Sequence, residues 1–338
     1  MAKILVLGGT SWLGGAVAAT AAAQEHDVTC LARGESGPVP PGVRLVRADR
    51  DGPDAYAALP RTGGWDLVVD VARQPGHVRR AVAALSDDAR HWAFVSSCSV
   101  YAAHDEPGAD EGAPLLPALA TDVATPEQYG EGKVACEQAV VAARGPDALI
   151  VRSGLIAGHG DMSDRFGYWP GRFALAVDDG QPVLIPARRD RPVQWIDVED
   201  LARWIVEAGL SGRTGIYNAA GPPVPLGAVL DAAASVAGFR GPVLAASDAD
   251  LLAAGVEEFM GPRSLPLWIA DPGWSGFLDR ATGRAAAAGL RQRPLAETMS
   301  EALRWERLLG TDRPRGGAGL DRADELALIA TLSGAAHR

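Results

Sequence analysis

The stretch LVLGGTSWLGGAVAAT, residues 5–20, passes from an apolar run through glycines into a string of small residues. An apolar run without polar alternation suits a strand covered on both faces. Gly8, Gly9, Gly14 and Gly15 then mark the turn into a helix. The same punctuation recurs downstream. DVTCLA, VRLVRAD, DLVVDVA and HWAFVSS read as four further buried strands, and DALIVRSG at 147–154 as a sixth. AVAATAAAQEH, GPDAYAAL and HVRRAVAALSD read as the helices between them. Such alternation predicts an α/β fold with a doubly wound parallel sheet of the Rossmann type.

The texture changes after Gly158. Trp169, Trp195, Trp204, Trp268 and Trp274 fall in a stretch richer in proline and irregular segments. We expect residues 1–157 to form the sheet domain, rejoined by a segment at about 190–222 that holds VQWIDVEDLARWIVEAG and TGIYNAAG. Residues 158–189 and 223–338 then make a smaller, interleaved C-terminal substrate lobe. Within it, TDRPRGGAG at 311–319 reads as a linker, followed by a short amphipathic helix from Asp321 to about Leu332.

With 338 residues the chain can bury a full core. A formal charge of −10 argues against a nucleic-acid partner or an anionic membrane, either of which wants a basic face. MAKILVLGG reaches its glycines too soon for a signal peptide or a membrane span. Cys30, Cys98 and Cys136 are odd in number and lack CxxC spacing, which fits reduced thiols and a cytoplasmic location.

The loop between first strand and first helix is where a dinucleotide pyrophosphate is held, by helix N-terminal amides and unshielded backbone. Gly8 and Gly14 form the outer pair, and Ser11 stands where the pattern has its middle glycine. The Ser11 hydroxyl is then a donor for a phosphate, or the cofactor sits farther off. The second strand ends Ala32-Arg33-Gly34, with no acid before Glu35. An acid there accepts from the NAD ribose, whereas arginine suits a 2′-phosphate, so NADP is favoured over NAD. Asp49 is a candidate for the adenine edge. The candidate cofactor residues are Gly8, Gly9, Thr10, Ser11, Trp12, Leu13, Gly14, Arg33, Asp49, Ala72, Tyr129 and Lys133.

Of the 32 lysines and arginines, only Lys3 and Lys133 are lysine. Lys133 follows Tyr129 by four residues in EQYGEGKVACEQAV, on a predicted helix opened by Thr125-Pro126-Glu127-Gln128, so both share one face. Gly130 and Gly132 each weaken that helix by about 1 kcal/mol, which implies a close approach to its backbone. A tyrosine ordinarily ionises near pH 10, and an ammonium beside it favours the phenolate. Upstream, FVSSCSVY ends the fifth strand at the edge where open α/β sheets bind ligands, and it offers Ser96, Ser97 and Ser99.

On GGTSWLG, SSCSVY, YGEGK and WIDVEDLA, about two-thirds of the chain resembles the extended short-chain dehydrogenase/reductase family. That family includes nucleotide-sugar epimerases and dehydratases. YWPGR and LPLW bring the sequence nearest a reductase-like branch. The resemblance implies Ser97, Tyr129 and Lys133 as catalytic serine, acid/base and ribose-binding lysine, with hydride transfer at a carbinol or ketone. It also allows a homodimer through helices of the first lobe. Dehydratases of the family carry Asp-Glu where this chain has Cys98 and Ser99, and epimerases an asparagine absent from RSGLIAGHG. A plain reductase or dehydrogenase acting on an apolar or bulky small molecule fits best. The alternatives are an NAD-dependent nucleotide-sugar epimerase, or a non-catalytic NAD(P)-sensing or RNA-associated protein.

Ser99, Tyr168, Trp169, Arg172 and Trp268 are the candidate substrate contacts. Trp195, Trp204, Phe259, Met260, Leu265, Leu267, Trp274 and Phe277 are divided between pocket and core. HGDMSD, 159–164, lacks a second histidine at ligand spacing and reads as a polar loop with no metal. Asp197 and Asp200 read as supports for the sheet.

Overall fold

In the computed structural model, which describes residues 1–60 and 63–335, the apolar runs become a seven-stranded parallel sheet. Its strands are β1 (Lys3–Leu7), β2 (Asp27–Ala32), β3 (Arg44–Arg47), β4 (Leu67–Asp70), β5 (Trp92–Ser97), β6 (Ala148–Ser153) and a seventh, Gly215–Ala219. The order runs seventh, β6, β5, β4, β1, β2, β3. The chain winds outward one way from β1 and the other way from β4, so the crevice for a ligand opens at their carboxyl ends. Continuous apolar strands follow from burial on both faces: Ile4, Leu5, Val6 and Leu7 are all fully buried.

Helix α1 (Trp12–Ala23) follows the first strand, and α2 (Pro75–Leu85) and α3 (Tyr129–Arg144) lie together on the opposite face. α5 (Val198–Leu210) packs on α1. Asp197 caps α5 by accepting from the Glu199 amide at 3.0 Å, and Asp200 holds Arg293, so both aspartates support the structure. A second core gathers around α4 (Tyr168–Asp179) and α6 (Leu226–Ala237) with the C-terminal helices. Residues cross between the cores: Trp195 and Val193 pack into the second, while Ala285 and Leu290 pack beneath the sheet.

Two local expectations fail. GPDAYAAL forms successive turns instead of a helix. Its Ala55, Tyr56 and Leu59 still enter the core, and the Tyr56 hydroxyl accepts from Arg50 at 3.1 Å. TDRPRGGAG is no linker. Arg313 and Arg315 form ion pairs with Asp164 and Glu306, the Gly317 amide donates to Asp164, and Ala318 is fully buried. These arginines tie the segment to Asp164 and to the helix Leu295–Leu309, a role their flexible-looking glycine neighbours conceal. The helix expected from Asp321 spans Arg322–Ala335. Among the described residues no helix is long and apolar enough to cross a membrane.

Candidate active site

The first cleft, about 400 Å³, lies at the carboxyl ends of β1, β2 and β4 and is lined by Gly8, Thr10, Ser11, Arg33, Asp49 and Ala72 among others. Its floor requires glycine. Gly8 has φ +94°, and a Cβ on Gly14 would stand 2.2 Å from the Gly8 carbonyl oxygen. Helix α1 therefore starts directly against the strand end, with its amides facing the cleft, a cradle suited to a pyrophosphate. The Ser11 hydroxyl is already engaged. It donates to the Gly8 carbonyl at 2.7 Å and accepts from the Gly14 amide at 3.3 Å, capping α1. Trp12 and Leu13 turn away from this cleft. Trp12 Nε1 donates to the His159 carbonyl at 2.8 Å and Leu13 joins the core. Gly9 is pressed against Cys30.

At the cleft's outer end the Arg33 guanidinium is 59% exposed and pairs with Glu35 at 3.2 Å. Asp49 is exposed, and its carboxylate accepts from the Asp51 amide at 3.0 Å. Arg50, which no sequence signal marked, is buried and forms a bidentate pair with Asp70, both contacts at 2.8 Å. That pair braces the wall: burial works against the Arg50 charge, and the Asp70 carboxylate outweighs it and keeps the guanidinium protonated.

Helix α3 joins this cleft to a second one. It begins at Tyr129, four residues after Thr125; the segment 126–128 is a turn, with the Gln128 side chain accepting from the Thr125 amide at 3.3 Å. Tyr129 and Lys133 still share a face. Lys133 is 2% exposed, and its ammonium donates to the carbonyls of Ala72 at 2.7 Å and Val95 at 2.6 Å. Two of three donor positions are thus fixed, leaving one for a ligand beside Ala72. The helix reaches this depth because Gly130 has no side chain: a Cβ there would lie 2.4 Å from the Ser99 carbonyl oxygen.

Tyr129 and Ser99 line the second cleft, about 650 Å³, with Leu116, His104, Phe259, Met260, Trp274 and Phe277. Ser97 Oγ donates to Ser99 Oγ at 3.1 Å and accepts from the Ser99 amide at 3.1 Å. The Ser97 proton is thus engaged on Ser99, and the Ser99 hydroxyl keeps its own proton for the cleft. Cys98 between them points into the protein. Burial pushes its thiol up to about 12, and Sγ lies 3.4 Å from the Arg152 carbonyl. Arg165 is a cation beside Tyr129, stacked 5.6 Å from the Phe259 ring centre, its pKa lowered chiefly by burial.

Four of the expected substrate contacts belong elsewhere. Tyr168, Trp169, Arg172 and Trp268 are at most 2% exposed and lie in the second core. Trp169 Nε1 donates to the Pro266 carbonyl at 2.8 Å, Trp268 Nε1 to Asp248 at 2.9 Å, and Arg172 pairs with Glu325 at 3.2 Å. Their bulk is consumed by packing in the second core, where the two indole N–H groups and the Arg172 guanidinium find their partners. Trp195, Trp204, Leu265 and Leu267 are core as well, whereas Phe259, Met260, Trp274 and Phe277 do wall the cleft. His104 and Arg165 were missed; the position of His104, just beyond SSCSVY, was the available signal for it.

Residues 4–220 match the NAD dependent epimerase/dehydratase family. The chain belongs to that family. Membership makes it an extended short-chain dehydrogenase/reductase, an enzyme with a nicotinamide cofactor. Among curated proteins it is 31% identical over 191 residues to the 2′-dehydrokanamycin reductase of Streptomyces kanamyceticus, an alignment covering 53% of this chain and 52% of that one. The match thus spans about half the length of the relative. Among solved structures, the UDP-Glc/GlcNAc 4-epimerase of Campylobacter jejuni superposes with a TM-score of 0.67 at 16% identity, covering 91% of this chain and 100% of the other. The Bordetella bronchiseptica enzyme WbmH in complex with NAD+ gives 0.64 at 18%, covering 91% and 99%. At these identities the likeness is one of fold.

Proposed function

We propose that this family member is an NADP(H)-dependent oxidoreductase that interconverts a ketone and a secondary alcohol on an apolar or bulky small molecule. One observation carries the reading. Tyr129 opens onto the aromatic-walled cleft, while Lys133, one turn along, is tied to the Ala72 carbonyl on the wall of the glycine cleft. The two side chains span the junction at which a nicotinamide and a carbonyl must meet.

A bound nicotinamide supplies the hydride; the chain supplies everything else. Ser99, oriented by the Ser97 hydroxyl, offers its free proton to the substrate oxygen, which fixes the carbonyl and polarises it. Tyr129 gives or takes the oxygen's proton at its hydroxyl. Lys133 uses its remaining donor position toward the cofactor ribose. The wall of Phe259, Trp274 and Phe277 excludes water from the reacting oxygen. A thiol raised to about 12 and turned inward cannot replace the acid of a dehydratase, so Cys98 supports simple reduction over elimination.

The preference for NADP rests on Arg33, whose exposed pair with Glu35 is open to exchange for a 2′-phosphate. A small-molecule substrate and a homodimer through first-lobe helices, without nucleic acid or membrane, complete the proposal. The second reading, a nucleotide-sugar epimerase holding NAD, is favoured by the epimerase likeness in fold.

The test has two arms. Nucleotide released on denaturing the purified protein is identified, and NADPH oxidation is followed with a panel of cyclic and aromatic ketones for wild type and Tyr129→Phe. Turnover abolished in the Phe variant with cofactor affinity retained is the expected result. Tightly held NAD with no ketone turnover hands the case to the epimerase.

A further inference from the structure

His104 is a polar group set among aromatic side chains, in a cleft whose lining also includes Glu127, Glu131 and Glu258. It lines the second cleft, stacked on Trp274 with ring centres 4.7 Å apart and edge-on to Phe277 at 5.0 Å. Arg280 lies behind it, 2.7 Å from Nδ1. A guanidinium has no acceptor, so Nδ1 must accept and, in the neutral ring, Nε2 must carry the proton. Burial first, and the Arg280 charge second, push the imidazole down to about 4, with Asp105 opposing.

Arg280 is itself held. It donates to the Ala103 carbonyl at 2.7 Å and lies 4.3 Å over the Tyr101 ring. The Tyr101 hydroxyl donates to Asn218 Oδ1 at 2.6 Å and accepts from Arg152 at 3.1 Å. Arg152 makes a bidentate pair with Glu137, one turn beyond Lys133 on α3. A buried polar chain thus runs from the catalytic helix to the wall of the cleft, ending on an Nε2–H for which the described residues show no acceptor. Preorganised donors of this kind discriminate strongly, because an unmatched ligand leaves them unpaired.

We infer that His104 is a specificity-determining residue whose neutral Nε2–H binds a second acceptor oxygen on the substrate, so that the enzyme takes ring-bearing ketones carrying an additional carbonyl or ester group. The inference rests on the oxidoreductase reading for the identity of the reacting group. The apolar ring lies among Trp274, Phe277 and Phe259, the reacting oxygen faces Tyr129, and the second oxygen faces His104.

A cyclic β-keto ester and the parent cyclohexanone, which lacks the second acceptor, are the probes. Wild type is expected to favour the keto ester in kcat/KM by on the order of tenfold, the worth of one well-made hydrogen bond. His104→Phe keeps the stack and removes the donor, and should collapse the preference toward unity. His104→Gln should restore part of it. A preference unchanged in His104→Phe overturns the inference.

A binding arm is independent of turnover. Protein with isotope-labelled histidine, mixed with each oxidised nicotinamide cofactor in turn, is titrated with both probes while the ring-nitrogen signals are followed. The free protein should show His104 as the Nε2–H tautomer at neutral pH, and the keto ester alone should shift that signal. An Nδ1–H tautomer, an equal response to both probes, or no response to either sinks the inference. A selective response without turnover keeps the His104 assignment and removes the reductase reading instead.

Discussion

Gly130 on α3 faces the Ser99 carbonyl so closely that a methyl group in place of its hydrogen would lie 2.4 Å from that oxygen. The helix bearing Tyr129 and Lys133 is thereby seated on the loop bearing Ser97 and Ser99. Gly130→Ala therefore tests the seat. Alanine favours the helix by about 1 kcal/mol, but the overlap with backbone costs roughly 1–3 kcal/mol. The variant should be less stable than wild type and at least ~10-fold slower, because a ~1 Å displacement of a reacting group is enough for such a loss. Thermal melts and steady-state rates measured together check this; a stabilised, fully active alanine variant means that the close seat is dispensable.

Lys133→Arg should act on folding as well as on chemistry. The buried ammonium satisfies two carbonyls at 2.7 and 2.6 Å, a pocket with no room for a guanidinium fork. We expect a melting temperature lowered by several degrees, weaker cofactor binding, and a loss in kcat of ~10-fold or more, about 1.4 kcal/mol at the transition state. Lys3→Arg, on β1 and remote from the second cleft, should match wild type in kcat. Equal behaviour of the two variants would remove Lys133 from the site.

Arg33→Ala should lower affinity for NADPH by roughly tenfold or more while leaving NADH nearly unaffected, since a charged hydrogen bond contributes about 1.5–3 kcal/mol. Fluorescence titration of both cofactors decides it. Wild-type protein that binds NADH as tightly as NADPH contradicts the role given to Arg33.

His104 predicts a pH dependence of stability. Its folded pKa is about 4 and its unfolded value near the ordinary 6.5. Between those values the unfolded chain takes up a proton that the folded protein refuses, so unfolding is favoured as pH falls. Its contribution should be fully present above about pH 6.5, decline toward pH 4 and level off below. Because His77 and His91 are also depressed by burial, the comparison is between wild type and His104→Phe. Denaturant titrations from pH 7 to 4 should show the smaller decline in the Phe variant; parallel curves refute the assignment.

The Tyr129–Lys133 pairing was legible because it is local: a spacing of four on a helix fixes a shared face whatever the rest of the chain does. The sheet was legible for the same reason, each strand being a short apolar run between breakers. The substrate wall was not. Trp268 and Trp274 sit six residues apart with similar neighbours, yet one is fully buried and the other is 44% exposed beside the cleft. Tertiary packing decides between them, and composition does not encode it. His104 is a sharper case, since its tautomer depends on Arg280, 176 residues away in sequence. TDRPRGGAG misled for a related reason: glycine and arginine suggest a solvated tether until the acids that pair with it are brought near.

The scarcity of lysine gives the protein a built-in reporter. An endoproteinase that cuts only after lysine has two sites in the whole chain, and removal of the first three residues leaves the remainder intact. Cleavage at the other site cuts within α3 and divides the chain into fragments 4–133 and 134–338, a change visible on any gel. Lys133 is buried, so the cut requires local opening, and its rate at low protease measures how often that helix leaves its seat. Cofactor that grips the lysine should slow the cut, while ligands that occupy only the outer aromatic wall should not. Digestion kinetics would therefore report engagement of the active site before any substrate is known.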